Sequence, residues 1–267
     1  MLSRPNKSLV SAVRLIGRQE SFDVAILFPN SLRVALEVWR VPRKVGYRGH
    51  ARGWLLNQIV REPRRSGPPE HHATRFLRIA DDCGADVDQM RDAKQALSQT
   101  SHFQDQKKLL GLCPGAEYGP AKRWLPERFA EAAVAVSAQS KVKWILFGVD
   151  NDESIGETVA SALGENCINR IGQTTLDQLI EELRRCRLLL TNDTGTMHLA
   201  ALLGVPVVAV FGSTEPALTR PLGNGHIILR HHVECSPCFL RECPIDFRCM
   251  KAVSVQEVVD AVMSILQ

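Results

Sequence analysis

Residues 191–212 read TNDTGTMHLAALLGVPVVAVFG. The run RLLL, 187–190, leads into this stretch, and VPVVAVFG, 205–212, closes it. Both runs are continuous and apolar, as strands buried on both faces are. Between them MHLAALLG, 197–204, has the look of a helix. The polar cluster Asp193, Thr194, Gly195, Thr196 falls where a strand hands over to a helix. In an open parallel sheet that is where ligands bind, beyond the carboxyl ends of the strands.

The same alternation runs outward from this stretch. KLLGLCPG (108–115), VKWILFG (142–148), CINRIG (167–172) and HIILR (226–230) read as strands. LPERFAEAAVAVSAQS (125–140), DESIGETVASALG (152–164), TLDQLIEELRRC (175–186) and SVQEVVDAVMSIL (254–266) carry apolar residues at helical spacing. Gly164 is a plausible C-cap and Thr175 an N-cap. Strands alternating with helices imply an α/β fold, a parallel sheet covered on both faces. Toward the N-terminus the pattern is shorter. FDVAILFPNS (22–31) reads as strand then loop, LRVALEVWRV (32–41) as helix, KVGYRG (44–49) as strand and TRFLRIADDCG (74–84) as helix. KQALSQTSHFQDQKK, 94–108, is polar and linker-like. Two α/β domains are therefore expected: a partial one at 1–105, with the linker, and 106–267. The first is expected to enter the fold partway through, because no opening strand and no Gly-rich turn precede NKSLVSAVRLIGRQES, 6–21.

Composition bounds the function classes. The chain has 267 residues, 45% of them hydrophobic, a net charge of +4 and a pI near 8.7. That basic bias is too weak to point to nucleic acid. No apolar run is long enough to span a bilayer. The N-terminal stretch is charged throughout and has no signal-peptide core, so a cytoplasmic location is expected. Of eight Cys, Cys83, Cys113, Cys167 and Cys186 read as ordinary buried thiols. Cys235, Cys238, Cys243 and Cys249 crowd into one loop after HIILR. Their spacing is wide and irregular, and a reduced thiol-rich loop is preferred to a structural metal site.

At a helix start, backbone N–H groups are unpaired and carry partial positive charge. Gly195 lets the backbone approach a phosphate closely. Thr194 and Thr196 add hydroxyls, Asp193 can accept from sugar hydroxyls, and His198 lies in the first turn. Taken alone, the cluster reads as an N-capped helix start. A second loop changes the balance: CPGAEYGPAKRWLPERFAEAA, 113–133, also leaves a strand and enters a helix, and it carries Lys122. A cation on one loop and a helix-start cradle on the other suit a nucleotide diphosphate. No P-loop motif is present, and GVDNDE after WILF completes no dinucleotide fingerprint. Arg40, Arg43, Lys44, Arg48 and Arg52 crowd RVPRKVGYRGHARGW, 40–54. They read either as a solvated basic face or as a patch for the oxyanions of an acidic acceptor.

The loop 113–133, the block LLLTNDTGTMHLAALLGVPVVAVFGSTEPALTRPLG (188–223) and CSPCFLRECPIDFRCM (235–250) together resemble glycosyltransferase family 9, the ADP-heptose:lipopolysaccharide heptosyltransferases, and most of all its heptosyltransferase II group. FDVAILFPNSLRVAL (22–36) and KVGYRGHARGWLLN (44–57) resemble that family's N-terminal domain. The resemblance implies a GT-B fold and an inverting, metal-independent transfer of heptose from ADP-heptose to the inner core of lipopolysaccharide, with no cofactor. It implies that Lys122 binds the donor diphosphate, that Thr194 and Gly195 offer backbone N–H groups to it, with Thr196 beside them, and that Asp193 holds heptose hydroxyls. His198 would support the loop, Thr174 would touch adenine through its backbone, and an acid within Asp150 to Glu153 would reach the ribose. Arg43, Lys44, Arg48 and Arg52 would meet the acceptor, with peripheral contact at the inner face of the membrane. The family's catalytic base belongs to an opening segment with no counterpart here, so no catalytic residue is assigned. A non-catalytic ADP-sugar-binding module stands as the alternative.

Overall fold

The computed structural model describes residues 22–49, 51–63, 67, 69–87 and 108–267. It divides into two units, Met1–Arg91 and Asp92–Gln267. All but the last residue of the expected linker, 94–108, lies outside the described residues, as does the N-terminal stretch before residue 22.

In the first unit β1 (Val24–Leu27), β2 (Arg43–Tyr47) and β3 (Gln58–Val60) form a parallel sheet in the order β1-β2-β3. Helix α1 (Leu32–Glu37) starts at Ser31, whose hydroxyl accepts from Val34 N. It ends at Glu37, with Val38 as its C-cap, short of the expected Val41. Helix α2 (His72–Asp82) packs Ile79 against Val45, Tyr47 and Val60. Strand β3 carries no sequence signal of its own: it has three residues and a polar start.

The second unit holds a six-stranded parallel sheet. Its strands are β4 (Leu109–Cys113), β5 (Lys143–Leu146), β6 (Cys167–Asn169), β7 (Leu189–Asn192), β8 (Val207–Val210) and β9 (Ile227–Leu229). Their order is β6-β5-β4-β7-β8-β9. The chain thus starts in the middle, builds outward one way and returns to build the other way. The reversal falls between β4 and β7, which pair Gly111 to Leu189 and Cys113 to Thr191. A crevice opens at such a switch point, outside the carboxyl ends of the strands.

The helices that cover this sheet follow the expected signals. Helix α3 (Pro126–Ser140) has Pro in its first turn and turns Phe129, Ala132, Ala133 and Val136 inward. Helix α4 (Glu153–Leu163) ends at Gly164 with φ 53°. Helix α5 (Leu176–Arg184) is closed by a capping box between Thr175 and Gln178. Helix α6 (Gly195–Leu202) follows β7, and the short α7 (Pro216–Thr219) follows β8. One core, with Trp124, Trp144, Leu112, Leu190 and Val210 fully buried, packs beneath α3 and the C-terminal helix. The other, with Phe147, Leu189, Met197 and Phe211, lies on the α5 and α6 face.

Cys235, Cys238 and Cys243 lie in the loop after β9, but Cys249 does not. It sits in the short helix α8 (Arg248–Lys251), buried in the main core. The Asp246 carboxylate accepts from Arg248 N and starts that turn, and Cys249 is drawn against Gly212. The last helix, α9 (Val255–Leu266), is capped by Ser254 and Glu257. Among the described residues no group of three His, Cys, Asp or Glu is arranged to hold a metal ion. No described helix is long and apolar enough to cross a membrane.

Candidate functional site

A cavity of about 480 Å³ opens at the carboxyl ends of β4, β5 and β7. Lys122, Thr174, Asp193, Thr194, Gly195, Thr196 and His198 all line it. Seven residues read from three separate stretches thus meet at one place, the switch point of the sheet. On the β5–β6 side the walls are Phe147, Val149, Leu176 and Leu179, together with Thr174. On the β7–β8 side they are Asp193, Thr194, Gly195, Thr196 and Thr219. The lining is mainly apolar on the β5–β6 side, with Asp152 among it, and polar on the β7–β8 side.

The polar side is built around Asp193, which follows the last residue of β7 and is 5% exposed. Its Oδ2 accepts from Lys122 Nζ at 2.7 Å, Thr214 Oγ1 at 2.8 Å and Thr219 Oγ1 at 3.3 Å. Lys122 also stands 4.9 Å from the centre of the Tyr118 ring, a cation–π distance. Lys122 and Asp193 therefore face one cavity. Lys122 and Asp193 do not wait apart for separate halves of a ligand, however. They form an ion pair.

Thr194 occupies the N-cap of α6 but makes no side-chain cap bond. Its hydroxyl lies 3.4 Å from that of Thr191. Burial pushes the Cys113 thiol up, against the hydroxyls of Thr196, Thr194 and Thr191 beside it. The hydroxyls of Thr194 and Thr196 thus stand by the sheet end. It is the first-turn N–H groups of α6 that an anion can use.

Asn192, buried at the end of β7, joins the two loops. Its Oδ1 accepts from Trp124 N at 2.9 Å, and its Nδ2 donates to Pro114 O at 2.7 Å. Thr191 Oγ1 donates to Cys113 O at 3.3 Å. Within 150–153 it is Asp152 that lines the cavity. Its carboxylate accepts from Arg123 Nη2 at 3.2 Å and from Val149 N at 3.3 Å. A Cβ at residue 115 would lie 2.1 Å from Asp152 Oδ2, so Gly115 is what admits this buried acid.

The Cys-rich segment holds the Lys122 loop from outside. Arg241 Nε donates to Tyr118 O at 2.7 Å, Ala121 N to Arg241 O at 3.0 Å, and Tyr118 Oη to Phe239 O at 2.9 Å. Gly119, at φ 152°, lets this approach happen, since a Cβ there would meet Arg241 O at 2.4 Å. The segment also grips the loop after β8, where Phe239 N donates to Ser213 O at 2.8 Å. The sequence leaves Tyr118 without a role, because it does not match in type the phosphate-contacting hydroxyls of the family it resembles, and does not single out Thr214 or Thr219. The available signal was GSTEP, 212–216, a third polar loop directly after a buried strand.

The basic patch of the first unit is divided. Arg43 and Lys44 begin β2, whereas Arg48 and Arg52 follow its end, across roughly 16 Å of extended chain. Lys44 is buried and donates to Val41 O at 2.7 Å. Arg43 bonds Gln58 at the same end. Arg52 is wholly buried and donates to Tyr47 O, Pro29 O and Asn30 Oδ1, fastening the loops after β1 and β2. Of the four, Arg48 alone is exposed at the carboxyl end of β2, where its stem lies over Gly53. Next to Gly53, Trp54 is 75% exposed.

Residues 13–247 match glycosyltransferase family 9 (heptosyltransferase). The chain is 32% identical over 232 residues to lipooligosaccharide heptosyltransferase 2 of Haemophilus influenzae, covering 79% of this chain and 66% of that protein. It is 32% identical over 234 residues to lipopolysaccharide heptosyltransferase 2 of Escherichia coli K12, covering 80% and 66%. The alignments span about two thirds of the length of these relatives. The structure of E. coli ADP-heptose lps heptosyltransferase II is similar, with a TM-score of 0.70 and 27% identity over 97% of this chain and 79% of that one. An E. coli heptosyltransferase solved with ADP shares the fold, with a TM-score of 0.68 at 17% identity over 96% and 76%.

Proposed function

This chain belongs to glycosyltransferase family 9, the heptosyltransferases, and on that footing we propose that it transfers heptose from ADP-heptose to the inner core of lipopolysaccharide. One observation carries the reading of the donor. The cavity at the β4/β7 switch point joins a mainly apolar side to a polar side that holds Lys122, Asp193 and the start of α6. Adenine lies among Phe147, Val149, Leu176 and Leu179, with Thr174 at its edge. The diphosphate meets Lys122 and the N–H groups of Thr194 to Thr196. The heptose hydroxyls reach Asp193, and His198 supports the loop from the first turn of α6.

The chemistry follows from where charge develops. The acceptor hydroxyl gives up its proton to a base and attacks the anomeric carbon on the face opposite ADP. The bond from that carbon to the diphosphate oxygen breaks, and its electron pair leaves with the phosphate. The uncapped α6 start faces that growing charge without having to reorganise, and Lys122 meets it once it has moved from Asp193 to the phosphates, the kind of electrostatic arrangement that stabilises a transition state most. The inverted configuration is the consequence of the single displacement. The acceptor is assigned to the carboxyl ends of β1 and β2, where Arg48 and Trp54 are presented. An exposed indole suits the face of a sugar ring, and Arg suits its phosphate. A peripheral contact with the inner face of the membrane goes with such an acceptor.

The test is calorimetric titration with ADP, then turnover of ADP-heptose with a heptose-bearing acceptor in the presence of EDTA. Uptake of ADP with metal-free turnover is expected. Uptake without turnover turns the chain into an ADP-sugar-binding module, and turnover that needs a divalent cation overturns the mechanism.

A further inference from the structure

Three donors converge on a single oxygen, Asp193 Oδ2: Lys122 Nζ, Thr214 Oγ1 and Thr219 Oγ1. The carboxylate is 5% exposed and Lys122 13%. A buried carboxylate deprived of its partner is costly. With Lys122 as the sole donor, any ligand that drew the ammonium away would leave that charge stranded. The two threonines come from a different part of the chain, the β8 loop and α7. Thr214 is buried, and the loop carrying it is fixed to the Cys-rich segment through Phe239 N to Ser213 O and Ser236 Oγ to Gly212 O.

We propose that Thr214 and Thr219 are positioning residues that keep Asp193 hydrogen-bonded while Lys122 exchanges from its carboxylate to the phosphates of an incoming nucleotide. The inference rests on the reading of this cavity as an ADP-sugar site. Lys122 lines the cavity and is the one donor of the three that carries the charge a diphosphate attracts. Its other neighbour, the Tyr118 ring at 4.9 Å, does not compete for its protons as a carboxylate does. When Lys122 swings to phosphate, two hydroxyl donors remain on Oδ2. The ion pair is then a resting partnership, and the hydroxyls make it reversible.

Calorimetry with ADP tests this on the whole chain carrying Thr214→Val with Thr219→Val, on the pair of serine variants, and on each in a Lys122→Ala background. The valine pair should bind ADP on the order of tenfold more weakly, the factor that corresponds to one charge-assisted hydrogen bond. The serine pair should bind ADP as the parent does, because it keeps both hydroxyls. In the Lys122→Ala background the valines should cause no further loss, since no exchange is left to support. Equal loss with and without Lys122 would mean that the threonines act only on the fold, and would overturn the inference. So would a valine pair that binds ADP like the parent. A parent that takes up no ADP removes the site reading and the inference together, whereas a parent that binds ADP with indifferent valines removes the inference alone. If the valine pair fails to fold, Thr219→Val supplies the readout, because Thr219 is only partly buried, and about threefold weaker binding is expected.

Discussion

Lys122 and Asp193 show how one contact sets opposite consequences for two substitutions. Lys122→Ala removes the cation assigned to the phosphates and should weaken ADP binding by about 1.5–3 kcal/mol, the range for a hydrogen bond to a charged group. Asp193→Ala removes the partner that competes for the same ammonium at 2.7 Å. Plain ADP should then bind as well as before or more tightly, while ADP-heptose loses its sugar contact and binds more weakly. Titration of both variants with both ligands checks this. Parallel losses for the two ligands in Asp193→Ala would mean that the carboxylate does not touch the sugar. Asn192 and Gly115 are constraints of a different kind. They hold the two loops and the buried Asp152 in register, so changes there should disturb the whole cavity rather than one end of it.

Among the elements, α9 carries a pH-sensitive joint away from the site. Glu257 Oε2 accepts from Ser254 N at 2.8 Å and from Ser254 Oγ at 2.7 Å, closing the capping box. Its Oε1 lies 2.6 Å from His231 Nε2. These donors, Ser254 first, lower the Glu257 carboxyl from 4.5 to about 2. A lowered carboxyl contributes stability above its unfolded value and loses it as pH falls through the folded one. The contribution of Glu257 should therefore be complete above pH 4.5 and fade toward pH 2. The side chain is 40% exposed, so screening keeps the effect modest. Glu257→Gln should flatten the fall in thermal midpoint between those pH values and change little at pH 7 beyond loss of part of the cap. An unchanged acid limb would show that the cap does not hold its charge in solution. The Cys-rich segment plays another role, since its backbone and Arg241 brace the Lys122 and Thr214 loops.

At the scale of the whole molecule, the proposed function divides the substrates between the two units. Donor contacts are assigned to 108–267 and acceptor contacts to the strand ends of the first unit. Trp54→Ala should raise KM for a heptose-bearing acceptor several-fold, about the worth of a lost stacking surface, and leave ADP affinity unchanged. Kinetics and calorimetry on the same sample check it, and a loss of ADP affinity would count against the division. Much of this architecture was legible along the chain. Every strand of the second sheet but β6 carries an apolar run, and most of its helices carry caps, because a strand covered by helices and a helix end both demand particular residues locally. The loops that line the cavity were legible for the same reason, being polar clusters at the ends of apolar runs. What lay beyond one-dimensional reading was pairing. That Lys122 meets Asp193, that Thr214 and Thr219 share its oxygen, and that Arg43 and Lys44 stand a strand's length from Arg48 are decided by sheet order and strand direction. Residues 71 and 21 positions apart become neighbours only when β4, β7 and β8 lie side by side. Local preference can specify each strand and each cap, but only the packed sheet brings their ends to one place.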